Sequence, residues 1–248
     1  MTSLYAAWGV SAAVLILFAI IFGVLCRHGF AGILVDNRGR YSLTHLQIVL
    51  WSIVVLSLIS GVMWGRLLDS KSKNPLDFEI PTELLTVMGI SLGSAAAATT
   101  IKVQKDLSHP ERIAASNDAD RPRFAQMLFL EEGDLADQVV DVTKFQNFWL
   151  TIVLVVAYVG LAIRTFSSGA LGSPGEITTL PVLSGTMVAL LGISHAGYVA
   201  AKLPNRPGSP QGLTVQLRSV GAVPRSPVPA AGAAGVVPAA TYIPRNPG

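Results

Sequence analysis

The stretch VMGISLGSAAAATTIK, residues 87–102, decides the predicted fold, because it carries no charge before Lys102 and few bulky side chains after Ile90. Nearly the same pattern returns as LLGISHAGYVAAK at residues 190–202. A helix of this kind suits a soluble core poorly, since it buries little apolar area per turn. Between transmembrane helices, by contrast, association depends on close packing of small residues. The two stretches therefore indicate a membrane protein.

The composition points the same way. Of 248 residues, 51% are hydrophobic and only 13% are charged, whereas soluble domains carry about 25% charged residues. The apolar residues form runs that are long enough to cross a bilayer. We predict an all-α integral membrane protein with five transmembrane helices, at about residues 8–26, 46–65, 82–101, 146–165 and 180–201. The first run has no Lys or Arg before it and Arg27 after it, which is the reverse of a signal peptide.

The distribution of Lys and Arg predicts the orientation. With the N-terminus outside and the C-terminus inside, fourteen of the 18 basic residues fall in cytoplasmic segments and four outside, as the positive-inside rule requires. That bias also explains most of the net charge of +3, so nucleic acid is not an expected partner. The expected partner surface is the lipid bilayer of a cytoplasmic membrane, which the chain crosses several times.

An internal repeat is the second organising feature. SLTHLQIVLWSIVV at 42–55 aligns with DVTKFQNFWLTIVL at 141–154 at an offset of 99, and the GIS triplets align at an offset of 103. Each unit is predicted to be a helical hairpin, and the two hairpins have the same orientation, as a parallel repeat. Chance similarity between apolar segments is the alternative. The predicted organisation is an N-terminal helix (1–27), a first hairpin (28–105), a cytoplasmic loop (106–140), a second hairpin (141–203) and a disordered tail (204–248).

The small residues of the two returning helices form predicted packing stripes. Residues four apart lie on one helix face, and the residues in question are Gly89, Gly93 and Ala97, with Ser91 beside them, and Gly192, Ala196 and Ala200, with Ser194 beside them. We expect these stripes to pack within the monomer. A seam between subunits of a homo-oligomer is the alternative.

Few polar side chains fall inside the predicted spans. Gln47 and Gln146 lie about one turn inside the membrane, and His195 is the one titratable group well within a span. Such groups can line a pore or sense protons, but we favour hydrogen bonds between helices. No motif of a hydrolase, a metalloenzyme or a nucleotide-binding protein is present in the sequence. We therefore expect no enzymatic activity and no cofactor.

Two cytoplasmic segments are candidate partner-binding regions. In the loop, FAQMLFLEEGDLADQVVDV at 124–142 is predicted to form a short surface helix with an acidic side, and an acidic surface suits a protein partner or the chain's own basic residues. The tail is rich in Pro, Ala and Gly and cannot build a core; it is either a docking tail or plain low-complexity sequence. The tentative partner-binding residues are Glu131, Glu132, Asp134, Asp137, Tyr242 and Ile243.

The motif YSLTHLQIVLWSIVV followed by ELLTVMGISLGSAAAA resembles bacterial multi-pass membrane proteins with an SL-x-x-x-Q-x-x-x-W hairpin that returns on an MGIS helix. The resemblance covers about residues 38–105 and, more weakly, 141–202. Some of those proteins are linked to contractile injection systems, and the resemblance implies a role in bringing a cytosolic particle to the membrane. The leading hypothesis is a non-enzymatic scaffold or docking protein that engages a cytosolic or membrane protein. The alternative is an oligomeric channel or pore.

Overall fold

The structure of the protein is a computed structural model, and it describes residues 2–26, 29–69, 74–108, 122–132, 137–167, 177–203 and 214–216. They are mostly helical. The five α-helices are α1 (Thr2–Leu25), α2 (Leu43–Leu67), α3 (Thr82–Ser108), α4 (Val142–Ser167) and α5 (Gly185–Lys202), and two three-residue strands are β1 (Val139–Asp141) and β2 (Thr214–Gln216). Two 3₁₀ turns cover Gly32–Leu34 and Phe124–Met127.

Four helices have the length and apolar composition of membrane spans. They are Leu4–Leu25 within α1, Leu43–Leu67, Thr82–Ser108 and Val142–Ser167, and they agree with the first four predicted spans. The fifth helix is only 18 residues long and begins at Gly185, after the predicted start of its span. Ser184 ends the extended segment before it and accepts a hydrogen bond from the Met187 backbone N–H, as an N-cap does.

Helices α2, α3, α4 and α5 form a bundle in which α2 packs against α3 and α4, and α5 packs against the same two helices. The shared core contains large buried side chains, among them Trp51, Leu58, Tyr158, Leu84 and Leu191. Helix α1 packs along α2 on the outside of this bundle. Packing of apolar side chains against one another thus holds both hairpins in one unit.

A glycine permits the closest contact of α1 with α2. A Cβ atom added to Gly61 would lie 2.7 Å from the Cα atom of Trp8, so a larger residue there would push the backbones apart. Beside it, the Trp8 indole Nε1 donates a hydrogen bond to Ser57 Oγ at 3.1 Å. The outer face of α1 is bulky, with Leu17 and Phe18 each more than half exposed, as expected for a surface that faces lipid.

The segments that precede the two returning helices lie side by side. Glu79 and Thr179 form an isolated parallel bridge, in which Glu79 N–H donates to the Thr178 carbonyl at 2.7 Å and Leu180 N–H donates to the Glu79 carbonyl at 3.1 Å. Helices α3 and α5 therefore start next to each other. They also end next to each other, because Lys102 and Lys202 both contact Glu131.

The described residues of the acidic segment, 124–132 and 137–141, contain no α-helix, which contradicts the predicted surface helix over these residues. Leu130 N–H donates to the Val139 carbonyl and Asp141 N–H donates to the Leu128 carbonyl, so residues 128–130 lie beside residues 139–141. Strand β1 pairs antiparallel with β2, and β2 lies in the segment that the sequence predicted as disordered. The rest of residues 204–248 lies outside the described residues.

Candidate functional site

The described residues bring eleven charged side chains together at one end of the bundle, where α3 and α5 end and α4 begins. We call this group the charged cluster. Its members come from the loop after α1, from the helix ends and from the acidic loop, and they are Asp36, Arg38, Arg40, Lys102, Lys105, Asp106, Glu131, Glu132, Asp137, Lys144 and Lys202. Six positive and five negative charges nearly balance.

Glu131 lies at the centre of the charged cluster and pairs with lysines from three helices. Its Oε1 atom is 2.7 Å from Lys144 Nζ and 2.8 Å from Lys202 Nζ, and its Oε2 atom is 3.0 Å from Lys102 Nζ. Lys144 also donates a hydrogen bond to the Phe129 carbonyl at 2.7 Å. One carboxylate thus connects the ends of α3 and α5 to the beginning of α4.

Asp36 and Arg38 join the loop after α1 to the same charged cluster. Asp36 accepts a hydrogen bond from Lys102 Nζ at 2.8 Å and one from the Arg40 backbone N–H at 3.1 Å. The Arg38 guanidinium bonds both carboxylate oxygens of Asp106 and donates to Glu132 Oε1 at 3.0 Å. Such charge-assisted contacts fix a geometry more firmly than neutral hydrogen bonds do.

The electrostatics keep these carboxylates ionised. Burial by itself would raise the pKa of Glu131, but the positive charges of Lys144, Lys202 and Lys102 hold that pKa well below its usual range. The pKa of Asp36 is lowered in the same way, because Lys102 outweighs the effect of burial. Burial by itself would likewise raise the pKa of Glu132, but Lys105 and Arg38 lower that pKa. The carboxylates of Glu131, Asp36 and Glu132 are therefore ionised at neutral pH.

The predicted acidic partner surface is used inside the protein. Glu131, Glu132 and Asp137 all pair with basic residues of the same chain, Asp137 with Arg40 through Nη1 at 3.1 Å. The alternative stated for this segment, pairing with the chain's own basic residues, is the arrangement observed. The other tentative partner-binding residues, Asp134, Tyr242 and Ile243, lie outside the described residues.

The polar groups within the bundle bond to each other across helices. Gln47 Nε2 on α2 donates to Thr151 Oγ1 on α4 at 2.8 Å, and Ser194 Oγ on α5 donates to Asn147 Oδ1 at 3.2 Å. The interhelical role expected of Gln47 is thus observed. Gln146 is exposed, and its neighbour Asn147 occupies the buried position. Sequence identity aligns Gln47 with Gln146 at an offset of 99, whereas burial aligns Gln47 with Asn147, one residue later. One residue corresponds to a rotation of about 100° around the helix axis, so the two alignments place different side chains in the bundle.

The predicted packing stripes face outward, not into the monomer. Gly89, Gly93, Ala196 and Ala200 are exposed, while Ala97 and Gly192 are half-buried. The expectation of packing within the monomer is therefore wrong for the exposed small residues. Only the flanking serines, Ser91 and Ser194, are buried.

The outward small residues border a recess between α3 and α5, which we call the small-residue groove. It has a volume of about 330 Å³ and is lined by Gly89, Ile90, Gly93, Ser94, Ala97, Gly192, His195, Ala196 and Val199. His195 Nδ1 is 2.6 Å from Ser94 Oγ, so His195 does form the helix-to-helix contact that the sequence favoured.

Several residues of these sites were not predicted as site residues. Lys102, Lys144 and Lys202 contribute to the sequence prediction only as basic residues that set the orientation, and neither Asp36 nor Asn147 is among the predicted site residues. The signal for them in the sequence is an acidic loop that lies between helices with basic ends. This pattern predicts that the loop and the helix ends attract each other, but not which residues pair. Among the described residues, no group of three or more His, Cys, Asp and Glu side chains could hold a metal ion.

Comparison of the chain with protein-family models, with curated proteins and with solved structures found no match.

Proposed function

We propose that the protein is a non-enzymatic scaffold of the bacterial cytoplasmic membrane that presents an ordered surface to a cytosolic partner. The observation that carries this proposal is the burial of Glu131 among Lys102, Lys144 and Lys202. These ion pairs attach the acidic loop to the helix ends, so the surface at that end of the bundle is built before any partner arrives. Preordering of this kind lowers the entropic cost of binding.

The position of the charges supports the proposed orientation, with the N-terminus outside. Every basic residue of the charged cluster belongs to the set assigned to the cytoplasm from the sequence. At the other end of α2, Arg66 is buried and its guanidinium donates to the carbonyls of Ile177 and Asn74. Basic groups at one end pair with acids, whereas Arg66 at the other end donates to backbone oxygens.

Burial in the two hairpins supports the proposed parallel repeat at one offset of 100 residues. On α2 the buried residues include Gln47, Trp51, Val55 and Leu58, and the residues 100 positions later on α4 are buried too. The same holds for α3 and α5: the residues 100 positions after Ser94, Ala95 and Ala98 are buried, as those three are. The bridge between Glu79 and Thr179 has the same offset. This register replaces the offsets of 99 and 103 that sequence identity gave. The proposed fifth span follows from it, because α5 is then the counterpart of α3.

The polar groups of the bundle favour a scaffold over the alternative, a channel. Gln47 and Ser194 use their side chains to bond Thr151 and Asn147 on another helix, which stabilises the packing of the bundle. A conducting path would instead direct such groups at water or at ions. Planar-bilayer recordings of the purified protein test this choice. Single-channel currents that Gln47→Leu abolishes would refute the scaffold proposal.

Partner recruitment tests the scaffold proposal itself. Native membranes would be crosslinked, solubilised in mild detergent and analysed by mass spectrometry, with a quantitative comparison of three proteins: the full chain, a chain lacking residues 218–248, and Glu131→Gln. Truncation after Leu217 retains β2, so the described part of the fold is kept. We expect one cytosolic protein whose recovery falls at least tenfold in one or both altered chains. Equal recovery of every cytosolic protein with all three chains would refute the proposal.

A further inference from the structure

The outer surface formed by α3 and α5 includes several exposed small residues on adjacent helices. On α4, Val153 and Val156 are more than half exposed and present bulky apolar groups, as lipid-facing positions do. The small-residue groove instead exposes backbone: a Cβ atom added to Gly89 or Gly93 would meet no heavy atom within 4 Å. Small residues on a membrane helix allow another helix to approach closely.

His195 points to a polar neighbour at the small-residue groove. Its side chain is only 2% exposed and lines the groove, and Ser94 engages its Nδ1 atom. Among the described residues, its Nε2 atom has no hydrogen-bond partner. In either neutral tautomer Nε2 is a donor or an acceptor. A buried polar atom without a partner destabilises the fold, and a lipid acyl chain cannot supply the missing bond.

We propose that a second copy of this chain occupies the small-residue groove and forms a twofold dimer. Helices α3 and α5 start together at the Glu79 bridge and end together at Glu131, so they run in the same direction. A second copy inserted in the same orientation then presents the same small residues on parallel helices. Parallel helices with small residues four apart are a frequent arrangement of membrane dimers, and a twofold axis brings identical surfaces together.

Charge and area both suit this occupant. Helix α3 carries no charge between Glu83 and Lys102, and α5 carries none before Lys202, so two copies meet without burying a charge in lipid. Each helix is about 10 Å wide and an 18-residue helix is about 27 Å long, so two helices side by side offer roughly 540 Å² per copy. Two copies would bury about 1,000 Å², which reaches the lower limit for a specific interface. The dimer does not depend on the scaffold function.

Matched glycine variants separate the dimer from the fold of the monomer. Gly93 and Gly160 are both exposed, and a Cβ atom at either position meets no heavy atom within 4 Å, but Gly160 lies on α4, away from the small-residue groove. We expect Gly93→Leu to weaken dimerisation at least tenfold without a change in melting temperature, because its side chain enters space that is open in the monomer. Gly160→Leu should dimerise like the wild type.

The measurement is single-molecule photobleaching of purified, dye-labelled protein in liposomes of defined lipid, over a range of protein-to-lipid ratios. A second measurement uses oxidative crosslinking of Ala196→Cys, with Val156→Cys as the control, after the native cysteine has been replaced by serine. We expect disulfide dimers of the first and not of the second. Monomers at every protein-to-lipid ratio, or equal dimerisation of Gly93→Leu and wild type, would overturn the proposal. Occupation of the small-residue groove by lipid or by another protein, and never by a second copy, would overturn it as well.

Discussion

Replacing Glu131 by glutamine tests the charged cluster, because the change keeps the shape of the side chain and removes its charge. The three lysine Nζ atoms that Glu131 contacts lie within 3.0 Å of its oxygens, and the Lys144 side chain is only 2% exposed. Removing one partner of a buried ion pair costs about 3–5 kcal/mol, since the remaining charge stays in a medium of low dielectric. Lys102 keeps Asp36 as a partner. We therefore expect a loss of about 3 kcal/mol, the lower end of that range.

Glu132→Gln is the matched control for this prediction. Glu132 is the next residue of the same loop, but its side chain is 27% exposed, and its partner Arg38 also pairs with Asp106. A pair that water reaches contributes less, so this change should cost about 1 kcal/mol. The assay is reversible unfolding in mixed micelles with increasing dodecyl sulfate, followed by circular dichroism. Equal losses of unfolding free energy in the two variants would refute the reasoning.

The pKa of Glu131 is depressed in the folded state, so the stabilisation from its carboxylate is present above the unfolded pKa of 4.5 and is lost only as the pH falls through the lower folded value. Titration of Glu131 should therefore change the unfolding free energy by less than about 1 kcal/mol between about pH 8 and 5. A steep loss of stability near pH 6 would contradict this prediction. Gly61→Leu should destabilise the protein by about 3 kcal/mol, because the Trp8 backbone occupies the space of the new side chain, and an unchanged melting temperature would show that α1 does not pack there. In a cysteine-free background, Leu76→Cys should react with an impermeant maleimide added to intact cells and Leu107→Cys should not, since both side chains are exposed at opposite ends of the bundle; the reverse pattern would invert the proposed orientation.

The amino-acid sequence by itself determined the four long apolar helices. Four of the five predicted spans have helices of the required length and composition, because an apolar run in lipid must satisfy its backbone hydrogen bonds within the run. Residue 141 begins the predicted second hairpin, and the Asp141 carboxylate accepts hydrogen bonds from the backbone N–H groups of Thr143 and Lys144 at 3.0 and 3.3 Å. Such features depend on neighbours along the chain and can be read from it.

Only the tertiary structure decided which side chains meet. The described residues of the acidic loop contain no α-helix, and Glu131 instead reaches lysines on three helices. The glycine stripes face outward, and Asn147 takes the buried place expected for Gln146. A sequence pattern gives the spacing of residues on a helix but not the rotation of that helix about its axis, which depends on how all its neighbours pack.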